Sequence, residues 1–127
     1  MYFRAHRGFR LATMPLKSYL PLILSMVAAL IILFTPASGV PSGFEHSDKI
    51  VHFVLFAALA WSSTVAAISP TWTAMWTVAF AALSEVLQAA LPLGRSGSLL
   101  DLFFDVLGAA AGLLVAARVG ASRSAID

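Results

Sequence analysis

Cysteine is absent from this 127-residue chain, which excludes disulfides, thiolate nucleophiles and thiolate-bound zinc. Charge is scarce too: Asp, Glu, Lys and Arg make up 11% of the residues, against about 25% in an ordinary soluble domain. No Gly-rich phosphate loop, internal repeat or low-complexity tract occurs, so nucleotide-binding loops and repeat architectures have no support. The formal charge is +2, but the basic residues gather at the chain ends rather than along one amphipathic face, which argues against nucleic acid as a partner. No cofactor is implied.

What is present is apolar surface. Hydrophobic residues account for 60% of the chain, more than a domain of this size can hide from water, so lipid must cover the remainder. Four apolar stretches, at 19–35, 50–68, 72–91 and 99–119, are each bounded by Pro, Gly, Ser or charge. A helix crosses the hydrocarbon core with roughly 20 apolar residues and about 17 at the least, so the first stretch is marginal and the other three suffice. The expected fold is therefore all-α, a bundle of four transmembrane helices. Its parts are a basic N-terminal arm (1–18), the membrane domain (19–119) and a short tail (120–127).

Basic residues orient the bundle. Arg4, Arg7, Arg10 and Lys17 precede the first stretch, and Arg118 and Arg123 close or follow the last. Only Lys49 and Arg95 fall in the intervening loops, so six basic residues against two place both termini in the cytoplasm. An alternative for the first stretch is a cleaved secretory signal, given the Arg-rich start and the small residues Thr35-Pro36-Ala37-Ser38-Gly39. Cleavage would leave three spans in the same orientation.

Against this background the ionisable residues stand out, because a charge at the bilayer centre costs about 2.5–3.5 kcal/mol on insertion scales. Asp48 and His52 are spaced i,i+4, Lys49 and His52 i,i+3, Glu85 and Gln88 i,i+3, and Asp101 and Asp105 i,i+4. Each pair thus shares a helix face. With both termini inside, each falls within about 10 Å of the outer end of its helix, at 1.5 Å rise per residue. The expectation is one polar pocket beneath the outer surface, with Arg95 leaning over it from the 92–98 loop. On the face of Asp101 and Asp105 the last helix continues with Gly108 and Gly112, a spacing that permits close packing in lipid.

Each feature also has a plainer explanation. Asp48 and Lys49 suit the start of a helix, as does Asp101 in a first turn. Glu85 suits an ion pair between helices. His6, Glu45 and His46 read as residues of the arm and loop, Ser96 and Ser98 as an ordinary Gly-Ser turn, and Trp61, Trp72 and Trp76 as aromatics at the membrane surfaces. A metal held by His52, Glu85 and Asp105 is weakly supported, because zinc sites ordinarily have more nitrogen or sulfur ligands, and no metal is expected.

Asp48-Lys49-x-x-His52, Glu85-x-x-Gln88, Arg95 and Asp101-x-x-x-Asp105-x-x-Gly108-x-x-x-Gly112, in this order, resemble the VanZ-like family of small integral membrane proteins. The resemblance covers roughly residues 45–115. It implies a bacterial cell-membrane protein touching the cell envelope, in a family named for low-level resistance to the glycopeptide teicoplanin. Family members usually carry Asn where this chain has Asp105, which adds a negative charge and removes an amide donor.

Three functions follow as expectations. The first is an outward pocket that binds or modifies a membrane lipid or a lipid-linked envelope precursor. In it His52, Glu85 and Asp105 are the candidate catalytic acids and bases, and Asp48, Lys49, Gln88, Arg95 and Asp101 the candidate ligand contacts. His52 suits proton exchange because imidazole titrates near neutral pH. The second is a binding or antibiotic-shielding module without turnover. The third is a proton-coupled carrier component, which ranks last because the inner halves of the last three stretches contain no ionisable residue to extend a path.

Overall fold

A computed structural model of the protein describes residues 15–36, 47–94 and 97–126. The basic arm with Arg4, His6, Arg7 and Arg10 lies outside the described residues, as do 37–46 with Glu45 and His46, and Arg95 with Ser96. The described chain is all-α, with helices α1 (Leu20–Phe34), α2 (Ser47–Val65), α3 (Pro70–Ala90) and α4 (Leu99–Ile126). A single 3-10 turn, Leu16–Ser18, leads into α1. Helix α2 begins three residues ahead of its expected start and takes Asp48 and Lys49 into its first turn. Helix α4 runs past 119 into the segment expected to be a tail.

Two helical stretches, Ser47–Val65 and Leu99–Gly120, are long and apolar enough to cross a bilayer. The 15-residue α1 is apolar but shorter, reaching about 22 Å of a core about 30 Å thick. Helix α3 has the length, yet carries polar residues on one side. Thr73, Thr77, Ser84, Glu85 and Gln88 are buried at helical spacing, while Trp72, Met75, Leu83 and Val86 are exposed.

This inversion runs through the molecule. His52, Ser62, Ser63, Asp101 and Asp105 are buried as well, whereas Leu24, Ile31, Val54, Leu99 and Leu114 are exposed. Water-soluble proteins bury apolar groups and leave charge outside. The opposite distribution fits hydrocarbon as the surrounding solvent, where exposed apolar side chains incur no penalty. Most of the buried hydroxyls are satisfied within their own helices, Thr73 Oγ1 being the exception. Ser62 donates to Ala58 O at 2.6 Å, Ser63 to Leu59 O at 2.8 Å and Thr77 to Thr73 O at 2.7 Å.

Local signals set the helix ends. Ser69 caps α3 by accepting the Trp72 N–H at 3.2 Å, and Pro70 at the first helical position needs no donor. At the end of α2 the Ala67 N–H reaches Thr64 O and the Ile68 N–H reaches Ser63 O, with Ala67 at φ 65°. These are the two bonds of a Schellman ending, built here on an alanine where glycine is usual.

The apolar core joins Ala29 and Leu33 of α1, Leu55, Phe56, Leu59 and Ala60 of α2, Ala81 of α3 and Ala109 of α4. Phe80 of α3 packs its ring 5.7 Å from that of Phe56. Trp76 departs from the expected surface position. It is only partly exposed, stacks near Phe80 and donates its indole N–H to Ser63 Oγ at 3.1 Å. Trp61 and Trp72 are exposed.

The closest approach is between α2 and α4. A Cβ on Gly108 would run into the Phe53 carbonyl, and one on Gly112 into the Ala57 carbonyl with Ala60 Cβ 3.0 Å away. Phe53 lies opposite Gly108 and Ala57 opposite Gly112, so the two helices run parallel while α3 returns between them in sequence. The expected packing role of the pair is what the structure gives, main chain against main chain.

Two stability predictions follow from these contacts. Gly108→Ala or Gly112→Ala gains about 1 kcal/mol of helix propensity but forces an overpacked seam, costing about 1–3 kcal/mol. The net fall in melting temperature in detergent should be absent in Gly120→Ala, whose Cβ would meet nothing within 4 Å. Ala67→Gly should raise the melting temperature, since a left-handed alanine costs about 1–2 kcal/mol.

Candidate functional site

The polar cluster is assembled on the α2–α4 seam and closed by α3. One turn above the glycine contacts, His52 Nδ1 lies 2.7 Å from Asp105 Oδ1. One turn higher, Lys49 Nζ lies 3.5 Å from Asp101 Oδ1. The pairs 49–101, 52–105, 53–108 and 57–112 therefore follow one another in the same parallel order along the seam. The glycines bring the backbones close, and the short carboxylates then reach across.

Glu85 enters from α3. Its Oε1 is 3.9 Å from His52 Nδ1, and its Oε2 accepts the backbone N–H of Ser98 at 2.9 Å. Ser98 in turn caps α4, its hydroxyl accepting the Asp101 N–H at 3.2 Å. In the usual capping box the acidic residue three positions on also reaches back to the cap's own N–H. Here Glu85 of another helix takes that N–H, which leaves the Asp101 carboxylate for Lys49 and for His52 Nε2, 3.8 Å away. Gly97 and Ser98 are drawn tightly against α3 in consequence. A Cβ on Gly97 would sit 3.1 Å from Glu85 O, and Gly94 turns at φ 69°.

The cluster is dry. The side chains of Asp105, His52, Glu85 and Asp101 are 0%, 3%, 9% and 11% exposed. Three carboxylates thus share a buried space with one imidazole and one ammonium. Glu85 Oε1, Asp101 Oδ1 and Asp105 Oδ2 are buried without a hydrogen-bond partner. Unsatisfied polar atoms in such a place are costly, so their concentration on one spot calls for a physical account.

Lys49, His52, Glu85, Asp101 and Asp105 converge as the spacing predicts. Gln88 does not join them. It is turned toward α1, where its side-chain amide donates to Leu33 O at 2.8 Å, satisfying one of the last carbonyls of that helix. Asp48 stands at the rim with a side chain 55% exposed, 3.7 Å from Lys49. The expected contribution of Arg95 lies outside the described residues. Ser98 was overlooked as an ordinary turn residue, although Ser98-x-x-Asp101 is a helix-start pattern readable in the sequence.

Residues 33–120, well over half of the chain, match the VanZ/LLP1 family. The chain belongs to the VanZ/LLP1 family. The matched region contains α2, α3 and all five converging side chains, and leaves out most of α1. Family membership, two helices of spanning length and the exposed apolar surface together make this VanZ-like chain a membrane protein. No curated protein and no solved structure matches the chain significantly.

Ser98→Ala should lower stability by about 0.5–2 kcal/mol through loss of the cap, and Ser98→Gly by only a few tenths. Equilibrium unfolding of the detergent-solubilised protein measures both.

Proposed function

We propose that this protein spans the bacterial cell membrane four times with both termini in the cytoplasm, and that its polar cluster lies just beneath the outer surface. There it binds or modifies a lipid-linked component of the cell envelope. The six-to-two distribution of basic residues supports the orientation. The inverted faces of α3, polar inward and apolar outward, support its being a full span. A role in teicoplanin-type glycopeptide resistance fits the family.

The observation that carries the reading is the buried His52–Asp105 pair at 2.7 Å with Glu85 and Asp101 on either side of the ring. Asp105 holds the imidazole in one orientation, as carboxylates do for catalytic histidines. His52 and Glu85 then exchange a proton with the ligand, while Lys49 pairs a phosphate or carboxylate of its headgroup. The near-complete burial of His52 and Asp105 favours a second reading, a binding or shielding module in which the same charges hold a ligand without turnover.

Expression-verified strains carrying His52→Ala or Glu85→Ala should lose the glycopeptide phenotype that the native chain confers, read as a change in minimal inhibitory concentration. An undiminished phenotype in both would sink the reading. Glu85→Gln separates its two forms, abolishing proton transfer while sparing lipid that co-purifies. A reporter fused in the 91–98 turn should report an external location, and an internal one would overturn the topology.

A further inference from the structure

The proposed acid–base role uses the proton on His52 but leaves the oxygens of Glu85 and Asp105 that lack a hydrogen bond without an explanation; the corresponding oxygen of Asp101 has the Lys49 ammonium 3.5 Å away. These atoms are not on the surface, where water would serve them. With the carboxylates ionised and His52 neutral, the charges of Lys49, Glu85, Asp101 and Asp105 sum to −2 in a site that is mostly buried. Burying unbalanced charge is expensive, so either bound protons or a bound cation must balance it. Lys49, already paired with Asp101, supplies one positive charge of the three needed.

We propose that His52, Glu85 and Asp105 bind a divalent transition-metal ion. Each offers one ligand atom, and the three atoms lie within 4.8 Å of one another. Glu85 Oε1 and Asp105 Oδ2 are two of the buried oxygens that have no hydrogen-bond partner. An ion about 2.1 Å from each ligand needs them roughly 3–3.5 Å apart, so small side-chain rotations close the site. The hydrogen bond between His52 and Asp105 gives way as the ion replaces the proton on Nδ1, so the metal-loaded site corresponds to the binding form of the proposed function rather than to proton exchange by His52.

The surroundings are those that metal-binding histidines use. Such a ring donates its other N–H to a carboxylate, which fixes its orientation. Asp101 is the carboxylate placed to take that role, 3.8 Å from His52 Nε2 and thus short of a hydrogen bond until the site closes, and it is itself held by Lys49. Glu85 is fixed by the Ser98 N–H on its other oxygen, leaving Oε1 turned toward the ring. One imidazole with two carboxylates, and no sulfur, suits Mn2+, Fe2+ or Zn2+ rather than Cu(I) or a purely oxygen-ligated ion. The charge of +2 cancels the cluster. Coordination positions not used by the protein would take an anionic headgroup, which rests on the function proposed above. The metal site itself does not.

The full chain, purified in detergent with a tag free of histidine, is loaded with Mn2+ or Zn2+, desalted and analysed for metal by mass spectrometry. The native protein should retain about one equivalent, and Glu85→Gln and Asp105→Asn less than a tenth of that. Asp101→Asn, which disturbs only the orientation of the ring, should weaken binding by about 10–100-fold. Thr64→Ala, at the far end of α2, should bind as the native chain does. Size-exclusion profiles and melting temperatures verify that each variant is folded. Where a carboxylate variant fails to fold, the visible spectrum of Co2+ bound to the native chain reports nitrogen and oxygen ligation directly. A native protein that retains less than a tenth of an equivalent, or folded Glu85→Gln and Asp105→Asn variants that retain as much as it does, would overturn the proposal. Metal retention requires neither lipid nor phenotype, so its failure and that of the proposed function are read separately.

Discussion

The arrangement depends on the absence of two side chains. At Gly108 and Gly112 the backbone of α4 lies directly on the Phe53 and Ala57 carbonyls of α2. In hydrocarbon, where apolar surfaces gain little by leaving the solvent, such close contact is a main source of helix association. It also fixes the distance at which His52 and the short Asp105 side chain meet, one turn above. An alanine-width gap would place that carboxylate out of reach and leave two buried polar groups facing each other across a void.

Around this seam the polar groups form a layered network rather than a set of separate ion pairs. Lys49 holds Asp101, Asp101 faces one nitrogen of His52, and Asp105 and Glu85 face the other. Glu85 in turn is fastened to the first residue before α4 by the Ser98 N–H. The start of α4 is thereby tied to α2 through side chains and to α3 through its cap. A buried network of this kind specifies one arrangement of helices, because every alternative leaves charge without a partner.

Much of this was legible in the sequence, since the polar residues are few and their spacing repeats a helical turn. Lys49, His52, Glu85, Asp101 and Asp105 could be placed together because each sits at the same depth of its own apolar stretch. Gln88 misled for a geometric reason. Residues three apart lie about 60° from each other around a helix axis, so a pair can share a side and still serve different neighbours. Gln88 turned to the end of α1, whose terminal carbonyls carry no sequence signature. Trp76 misled because its hydrogen bond to Ser63 depends on how α2 and α3 pack, which composition does not encode. The extension of α4 to Ile126 reflects a polar tail that remains a good helix former, so loss of hydropathy did not mark the end of the helix.

The seam is locked twice, by sterics below and by charge above, and both locks select the same alignment of α2 on α4. Sliding α4 by one turn, about 5.4 Å, would carry both carboxylates away from their partners and leave one glycine contact, with Ala116 or Phe104 driven into the other carbonyl. The two parallel helices therefore behave as one strut. Breathing that admits a molecule to the cluster is easier at α3. Its Glu85 meets the strut through the His52 ring and the Ser98 main-chain N–H, contacts that can be exchanged without unseating a backbone.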